Sequence, residues 1–431
     1  MKTQIKEINS FTRSLEVTVH WSDLEQQFNQ QFKKFKSKIA LPGFRKGKVP
    51  ENLVKANYGK SFEVDFVEQS MDNYFRQALK ENNLNPINKA EIKDLDFNEG
   101  ADLVFTADFE IVPEFSLPKY KKIKINVTRY TPTETDLQQS LDELRERYAS
   151  LKTIDSGACS GMYVECDLQE LDEQGIAIVG SKQEKRFVRL GEGYFKGNAE
   201  DKLIGINAGE ERVVEVTMDD NRKVKYHIAA HKIQELIKPD LDDDFAKSCD
   251  NNVETLDELK SSLQDRITES LDNDYNSAIR NQIMSWFVEK TTLEPPTSMV
   301  DNYADGMVEE AANQSAGYEK VDKDKLKDVY KSTGGNQIKW FLIQEELFKT
   351  EAVEISDDAL ETRIKEQIEK YKDRNPGIKK HYKKPTNKKR LKDQMEIELL
   401  FEKLKEVTVI KETTKTTDVL REERKKAMEV K

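Results

Sequence analysis

A helical pattern of apolar residues that runs unbroken from residue 255 to residue 287 is the strongest constraint in this sequence. Thr255 and Glu258 form a capping box at its start, and Pro295 and Pro296 follow its end. A helix of this length extends roughly 50 Å, which exceeds the diameter of a small domain. We therefore expect an extended helical arm rather than one compact core. The apolar stripe consists of Leu259, Leu263, Ile267, Leu271, Tyr275, Ile279, Ile283 and Phe287.

The rest of the C-terminal part has the same helical texture. Charged residues form 35% of the 431 residues and apolar residues 36%, a balance that suits thin, solvated helices better than a single globule. A chain of this length also favours about three separate cores. We expect an all-helical, arm-like domain over residues 239–431. Its further helices are predicted at residues 298–313, 323–350, 357–372 and 386–406.

The N-terminal segment, residues 1–113, mixes strand and helix patterns, and we expect it to form an α+β domain. Alternating apolar residues at 14–19 and 102–112 predict two half-buried strands. Ser22 and Glu25 form a capping box that predicts the start of a helix after the first strand. The apolar face of that helix carries Leu24, Phe28, Phe32 and Phe35.

Residues 114–154 are expected to be a linker with one helix, capped at Thr133. From residue 155 to residue 238 the pattern changes to short alternating segments between Gly-rich turns, which is typical of antiparallel strands, with one short helix near residues 201–203. The whole chain is thus predicted to be a multidomain α+β protein with an N-terminal α+β domain, an antiparallel sheet with one helix and a helical arm domain. The strand candidates are residues 164–168, 186–190, 212–216 and 223–233.

The overall charge and the apolar content exclude several classes of protein. A net charge of -11 argues against general nucleic-acid binding, because attraction to phosphates requires clustered Lys and Arg. The N-terminus has no apolar leader and no run reaches about 18 apolar residues, so we expect a cytoplasmic protein with no membrane partner. Cys159, Cys166 and Cys249 lack paired or metal-ligand spacing and are expected to be free thiols.

Two groups of residues are similar to metal ligands in composition but not in arrangement. His227 and His231 are four residues apart, but their neighbours predict a strand, on which they would lie about 13 Å apart. The run Asp240 to Asp244 lacks the spaced ligands and the Gly of a calcium loop and is expected to be linker charge. Since no Gly-rich phosphate loop is found either, we expect no metal, no cofactor and no use of ATP.

Positive charge is concentrated in residues 31–60, which hold nine Lys or Arg against the single acid Glu51, a local charge of about +8. Within this segment, Gly and Pro residues bracket Phe44 on a loop that is predicted to join two helices. Basic residues around an exposed Phe would supply phosphate contacts and one apolar anchor for an RNA-rich surface. The alternative is a solvated hairpin whose Phe44 packs on its own domain, and the residues alone leave both open.

The segment Gly43-Phe44-Arg45-Lys46-Gly47-Lys48-Val49-Pro50 resembles the Gly-Phe-Arg-x-Gly-Lys-x-Pro signature of the trigger factor family. The order of the predicted domains is similar as well. The resemblance implies that residues 1–113 bind the ribosome at a tunnel-exit protein and rRNA, that residues 155–238 form an FKBP-type domain, and that residues 239–431 hold nascent chains without ATP. It leaves open a weak homodimer off the ribosome. The ribosome-binding residues that it implies are Gly43, Phe44, Arg45, Lys46, Gly47, Lys48 and Pro50.

Residues 187–193 and 205–210 resemble the turns of an FKBP-type domain, and this resemblance implies peptidyl-prolyl isomerase activity on nascent proteins. Such enzymes use no nucleophile and surround the X-Pro bond with aromatic side chains. In this sequence Leu168, Ile178 and Ala199 stand where the family has Phe, and the flap is shortened after Met218. We expect weak residual isomerisation, and an active isomerase is the alternative function. The eroded pocket is predicted near Leu168, Ile178, Phe187, Ala199 and Tyr226.

A second basic cluster lies near residue 386 and is open to two interpretations. It is either a solvated turn or a surface that touches RNA or acidic clients, and a general RNA-binding protein is a third, more distant hypothesis for the whole chain. The cluster consists of Lys383, Lys384, Lys388, Lys389 and Arg390.

Overall fold

The computed structural model describes residues 1–218, 222–250, 252–314, 322–372 and 375–429. The protein is a multidomain mixed α/β chain with an N-terminal α+β region, a central sheet-rich region and a helical C-terminal region. By compactness it divides into two units, one of Met1–Ile125 with Ile279–Lys411 and one of Asn126–Ala278 with Glu412–Lys431. In the described ranges, no helix is long and apolar enough to cross a lipid bilayer.

The N-terminal region of the first unit is a four-stranded antiparallel sheet, in the order β1-β2-β4-β3, with two helices. The predicted strand alternation is confirmed, because Leu15, Val17 and Val19 are fully buried. The predicted helical face is confirmed too, since Phe28 packs edge-on against Phe62 at 5.0 Å between ring centroids. The elements are β1 (Lys2–Glu7), β2 (Thr12–Val19), α1 (Trp21–Lys38), α2 (Glu51–Glu81), β3 (Glu91–Asp96) and β4 (Leu103–Glu110).

The start of α1 differs from the prediction. The capping box of Ser22 and Glu25 is wrong, because the N-cap residue is His20 and its side chain does not bond the helix. Asp102, just before β4, supplies the cap: its Oδ1 accepts from the Trp21 N–H at 2.8 Å, and its Oδ2 lies 2.8 Å from His20 Nδ1. The bond from Trp21, followed by that from His20, lowers the pKa of Asp102. The acceptor comes from a residue distant in sequence, so no local pattern predicts it.

The central region is a five-stranded antiparallel sheet in the order β6-β10-β7-β8, with β9 paired to the first part of β10 on the same side as β6, and one short helix. The four predicted strands and the predicted helix are confirmed, whereas β6 was not predicted. The capped helix at Thr133 is also confirmed, with Asp136 completing the capping box. The elements are β5 (Ile123–Thr131), α3 (Glu134–Arg147), β6 (Ser150–Ile154), β7 (Tyr163–Leu171), β8 (Gln183–Arg189), α4 (Asn198–Leu203), β9 (Glu211–Thr217) and β10 (Lys223–Ile237).

The acidic run that was expected to be linker charge instead begins a helix, α5 (Asp243–Cys249). Asp242 is its N-cap, and the Asp242 carboxylate accepts from the Phe245 N–H at 2.8 Å. Phe245 and Ala246 are buried in a small apolar cluster with residues of α3. Acidic residues at a helix N-terminus favour the helix, so this charge has a structural role.

The C-terminal region confirms the predicted helices, and Thr255 and Glu258 form the predicted capping box: the Glu258 N–H donates to Thr255 Oγ1 at 3.3 Å, and the Thr255 N–H donates to Glu258 Oε2 at 3.2 Å. One correction concerns the expectation of an all-helical segment, because a strand, β11, pairs with β5. Its polar, Thr-rich sequence gives no apolar alternation. The elements are α6 (Leu256–Lys290), α7 (Thr297–Gln314), α8 (Lys323–Thr350), α9 (Asp357–Tyr371), α10 (Ile378–His381), α11 (Pro385–Glu406), β11 (Thr408–Thr416) and α12 (Thr417–Glu429).

Candidate functional site

The loop between α1 and α2 is closed by backbone hydrogen bonds of its own. The Phe44 N–H donates to the Leu41 carbonyl at 3.0 Å, and the Lys48 N–H donates to the Arg45 carbonyl at 2.9 Å. A third bond, from the Gly47 N–H to the Ile39 carbonyl at 3.0 Å, ties the far side of the loop back to the end of α1. The predicted loop between two helices is therefore present, and its backbone is held in a defined conformation.

Two features fix this loop to the domain below it. Gly47 has a φ of +75°, and a Cβ built on it would lie 2.9 Å from the Ser37 carbonyl oxygen and 3.3 Å from Ser37 Cα. Only glycine fits there without strain, because the neighbouring atoms are backbone. Two residues later, Val49 is 1% exposed and is part of the core that contains Phe62 and Phe66. This anchor was not predicted, because Val49 is a single apolar residue in a polar, basic loop and belongs to no periodic pattern.

The side chains at the tip of the loop point into solvent. Phe44 is 42% exposed, which favours the exposed anchor over the alternative in which it packs on its own domain. Arg45, Lys46 and Lys48 are exposed. Within the described part of the chain, no carboxylate lies within 4.0 Å of any of these three cations.

The cations at the base of the loop are arranged differently. Lys55 Nζ lies 2.6 Å from Glu99 Oε1, 3.7 Å from Glu51 Oε1 and 5.4 Å from the centroid of the Phe32 ring. The hydrogen bond to Glu99 raises the pKa of Lys55. Lys36 also reaches Glu51, at 4.0 Å. Lys36 and Lys55 are therefore the cations of this segment that carboxylates neutralise, whereas Arg45, Lys46 and Lys48 at the tip lie next to an exposed aromatic ring with no carboxylate partner among the described residues.

The residues predicted for an isomerase pocket do not come together in one site. Leu168 and Ala199 are 7% and 2% exposed in the core between the sheet and α4, and Tyr226 is half-buried against the same core. Burial raises the pKa of Tyr226. Phe187 is 55% exposed and pairs with Glu165 on the opposite face of the sheet, while Ile178 is 40% exposed in the turn after β7. Grouping Phe187 with Leu168 was therefore wrong.

An open groove of about 530 Å³ lies beside α4 where a prolyl pocket is expected. Much of its lining is charged, and the Lys223 Nζ lies 3.0 Å from Glu215 Oε1 within that lining. The twisted X-Pro amide through which isomerisation passes is favoured by an apolar, aromatic environment, which these ions do not provide. Met218 packs on the core, and the remainder of the predicted flap, residues 219–221, lies outside the described residues. The lining residues are Tyr194, Lys196, Asn198, Ala199, Asp201, Lys202, Glu215, Val216, Thr217 and Lys223.

The two histidines both lie on β10, as expected, and each faces a different carboxylate. His227 Nε2 is 3.1 Å from Glu211 Oε2, and His231 Nε2 is 2.9 Å from Asp167 Oδ1. The Lys185 N–H, then His231 and Lys182, lower the pKa of Asp167. In the described ranges, no three His, Cys, Asp or Glu side chains are close enough to hold a metal ion.

The three cysteines are free thiols, as predicted, but their environments differ. Cys159 is exposed, Cys249 is partly exposed and Cys166 is buried in the sheet core. Burial raises the pKa of the Cys166 thiol to about 12.

A second groove, of about 630 Å³, lies between α6 and α8. Met284, Val288 and Trp340 give it apolar walls, and amide and hydroxyl side chains stand between them. On α8, Val329 and Phe341 are also 59% and 48% exposed. The helical pattern predicted both helices but not this groove, because the pattern does not say which parts of an apolar stripe stay uncovered. The polar and charged lining residues are Asn281, Ser285, Glu289, Asn336, Gln337 and Lys339.

Comparison with known proteins gives matches over most of the chain. A family model described as "Bacterial trigger factor protein (TF)" matches residues 1–144, and one for its C-terminus matches residues 255–406. The trigger factors of Anoxybacillus flavithermus and Bacillus subtilis are each 29% identical over 377 residues, covering 83% of this chain and 88% and 89% of theirs. That of Clostridium kluyveri is 26% identical over 391 residues, covering 86% of this chain and 90% of its own.

The solved structures include a trigger factor chaperone studied for promiscuous substrate recognition in folding and assembly. It is 20% identical and covers 94% of this chain and 100% of its own, with a TM-score of 0.47.

Proposed function

The chain belongs to the trigger factor family of chaperones, and we propose that it docks on the ribosome through the loop at residues 43–50 and holds emerging chains without ATP. The observation that carries this proposal is the exposed Phe44, flanked by three cations that have no carboxylate partner among the described residues, on a backbone that Gly47 and Val49 hold in place. The proposed contacts are a ribosomal protein at the tunnel exit and the rRNA beside it.

The tip suits a mixed protein and RNA surface. Burying the exposed part of a Phe ring contributes about 1 kcal/mol, and Arg45, Lys46 and Lys48 can each neutralise a phosphate without first breaking an ion pair. Because the loop is already ordered, little conformational entropy is lost on docking. Phosphate contacts also make the affinity fall with added salt, so docking is expected to weaken as ionic strength rises.

The proposed holding site is the groove between α6 and α8, together with the exposed Val329 and Phe341. Apolar walls separated by amides accept many sequences, because side chains bind the walls while amides meet the backbone of an extended chain. Without ATP, release depends on competition with folding. A micromolar contact is worth about 8 kcal/mol, which the roughly 5–15 kcal/mol gained by a folding domain can match.

We also propose a division of labour along the chain, with docking in residues 1–113, a linker with one helix in 114–154, an FKBP-like domain in 155–238 and client holding in 239–431. The proposed place of action is the cytoplasm, since ribosomes and emerging chains are there. We further propose that the protein forms a weak homodimer off the ribosome. Sedimentation velocity over a range of protein concentrations tests this, because a weak dimer gives a sedimentation coefficient that rises with concentration.

Isomerase activity is proposed to be weak, because the groove beside α4 is lined by ions and Phe187 faces away from it. The test is a cis-to-trans assay on a peptide with Phe before Pro, at enzyme concentrations up to the micromolar range. We expect little acceleration over the uncatalysed rate. A catalytic efficiency within the usual range for enzymes, about 10⁴ M⁻¹s⁻¹ or more, would establish the active isomerase instead.

Co-sedimentation with empty ribosomes tests docking. The variant Phe44→Ala/Arg45→Ala/Lys46→Ala is expected to lose at least about tenfold in affinity, because it removes the apolar anchor and two phosphate contacts. The matched control, Val64→Ala/Arg76→Ala/Lys80→Ala on α2, removes one exposed apolar side chain and two exposed cations from the same domain. Equal affinities for the two variants would refute docking through the loop.

A further inference from the structure

The connection between α9 and α11 is the second strongly basic surface of the chain. Residues 379–390 contain seven Lys or Arg and no Asp or Glu, within a protein of net charge -11. Lys388 is half-buried and pairs with Glu361 on α9. The other six are exposed, and in the described ranges no carboxylate lies within 4.0 Å of them. We call these six the α10–α11 basic patch: Lys379, Lys380, Lys383, Lys384, Lys389 and Arg390.

The patch is built on an ordered scaffold rather than on a loose turn. Ile378 is 8% exposed and Leu391 is 7% exposed, and Tyr382 packs half-buried against the small core that contains Leu391 and residues of α9. Hydrogen bonds within the connection also stabilise its backbone, such as the one from Asn387 Nδ2 to the His381 carbonyl at 2.8 Å. The apolar side chains of the segment thus point inward, and its cations are presented outward on a fixed backbone.

This arrangement is unfavourable for the isolated protein. Like charges close together on a helical segment repel each other, and the first turn of α11 carries no acidic residue to offset them. A surface that served only solubility would mix both signs, as most of this charged chain does. A partner with a dense array of negative charge would relieve the repulsion.

We propose that the α10–α11 basic patch is an RNA-binding surface that contacts the phosphate backbone of folded RNA, separately from the loop at residues 43–50. Five of its six cations are Lys, whose ammonium meets phosphates as a point charge from any direction, whereas carboxylates of an acidic peptide are best matched by the fork of Arg. A polypeptide also seldom carries charge as dense as a nucleic acid does. A membrane surface fits poorly, because Ile378 is buried and Tyr382 and Leu391 pack into the small core, so none of them points outward for insertion.

The test measures binding of the full chain to a labelled RNA duplex of about 16 base pairs by fluorescence anisotropy, as a function of salt. The patch variant replaces four lysines by Ala: Lys379→Ala/Lys380→Ala/Lys383→Ala/Lys384→Ala. The control makes the same change in net charge at scattered exposed positions: Lys6→Ala/Lys89→Ala/Lys121→Ala/Lys124→Ala. Because all of these side chains are exposed, both variants should keep the thermal midpoint of the parent, as checked by circular dichroism.

We expect the patch variant to lose about tenfold or more in affinity near 0.1 M salt, and its plot of log K against log salt to flatten by up to about 3. The control should change the affinity less than about twofold, and Phe44→Ala/Arg45→Ala/Lys46→Ala less than about threefold. Equal losses of affinity in the patch and control variants would show that only the net charge of the protein matters, and would overturn the proposal. Loss only in the loop variant would overturn it as well. Stronger binding of a poly-Glu peptide of equal charge would assign the patch to acidic polypeptides instead.

Discussion

Replacing Gly47 by Ala is expected to destabilise the N-terminal domain, while the same change at Gly43 is expected to do much less. Both residues lie in the loop and have positive φ angles, +75° at Gly47 and +89° at Gly43. An alanine at either position bears the conformational cost of that region, roughly 1–2 kcal/mol. The two positions differ in what surrounds the new methyl group, which makes them a matched pair.

At Gly43 the methyl group meets nothing within 4 Å, so only the conformational cost applies. At Gly47 it meets the Ser37 carbonyl oxygen at 2.9 Å, and a backbone atom of α1 cannot rotate away. Overpacking of this kind costs about 1–3 kcal/mol more, which gives a total of about 2–5 kcal/mol for Gly47→Ala. The buried Val49 prevents the loop from simply swinging aside, so the cost should appear in the unfolding free energy of the domain.

Urea unfolding followed by Trp21 fluorescence measures this, in a background of Trp286→Phe/Trp340→Phe that silences the other two tryptophans. Trp21 reports on the N-terminal core because its ring lies 5.2 Å from that of Phe28, centroid to centroid. We expect the midpoint to fall by about 1 M urea or more for Gly47→Ala, and by about half of that or less for Gly43→Ala. Equal shifts for the two variants would show that the contact with the Ser37 carbonyl oxygen adds nothing to the cost.

Two further predictions concern the second unit, Asn126–Ala278 with Glu412–Lys431. Burial raises the pKa of Asp136, but hydrogen bonds from the Thr133 N–H, Thr417 and Arg421 outweigh it and lower that pKa. Asp136→Asn should therefore reduce the free energy of unfolding by about 1–2 kcal/mol. The control Asp142→Asn, at an exposed position, should change it by almost nothing. Because the pKa of Asp136 is lower in the folded state, this stabilisation is complete above the unfolded pKa near 4 and is lost as the pH falls through the folded pKa. Urea titrations of wild type and Asp136→Asn at several pH values measure it. A difference in stability that does not change with pH would contradict this prediction. At pH 8, iodoacetamide should modify the exposed Cys159 first and Cys166 only on unfolding, because burial raises the pKa of the Cys166 thiol to about 12. Peptide mass spectrometry reads out the labelled cysteine. Rapid labelling of Cys166 in the native protein would contradict this prediction.

The helices were predictable because their signals are local. The apolar stripes of α7, α8, α9 and α11 and the caps at Thr133 and Thr255 depend on residues within one or two turns. The errors involve partners that are distant in sequence. Asp102 caps α1 from 81 residues away. The strand β11 pairs with β5, and the contact between Thr131 and Lys415 joins residues 284 positions apart. The helix α5 was missed because an acidic run looks the same in a linker and at an N-cap.

The candidate site shows the same limit. The sequence alone could identify a basic loop between two helices, but it could not tell which cations are neutralised. That distinction depends on Glu99, which reaches Lys55 from the turn before β4. In the central sheet, successive residues of β8 face opposite sides, with Val188 buried in the core and Phe187 exposed. This alternation could have been read from the sequence, and it excludes Phe187 from a pocket on the core side. The charged groove beside α4 required the assembled sheet.

Photo-crosslinking on ribosomes tests directly whether the loop at residues 43–50 docks there. A photoreactive phenylalanine analogue is placed at Phe44 in one protein and at the exposed Val64 of α2 in another. We expect crosslinks from position 44 to a ribosomal protein or rRNA at the tunnel exit, weakening with salt, and none above background from position 64. Binding to ribosomes without a crosslink from position 44, or with equal crosslinks from both positions, would contradict it.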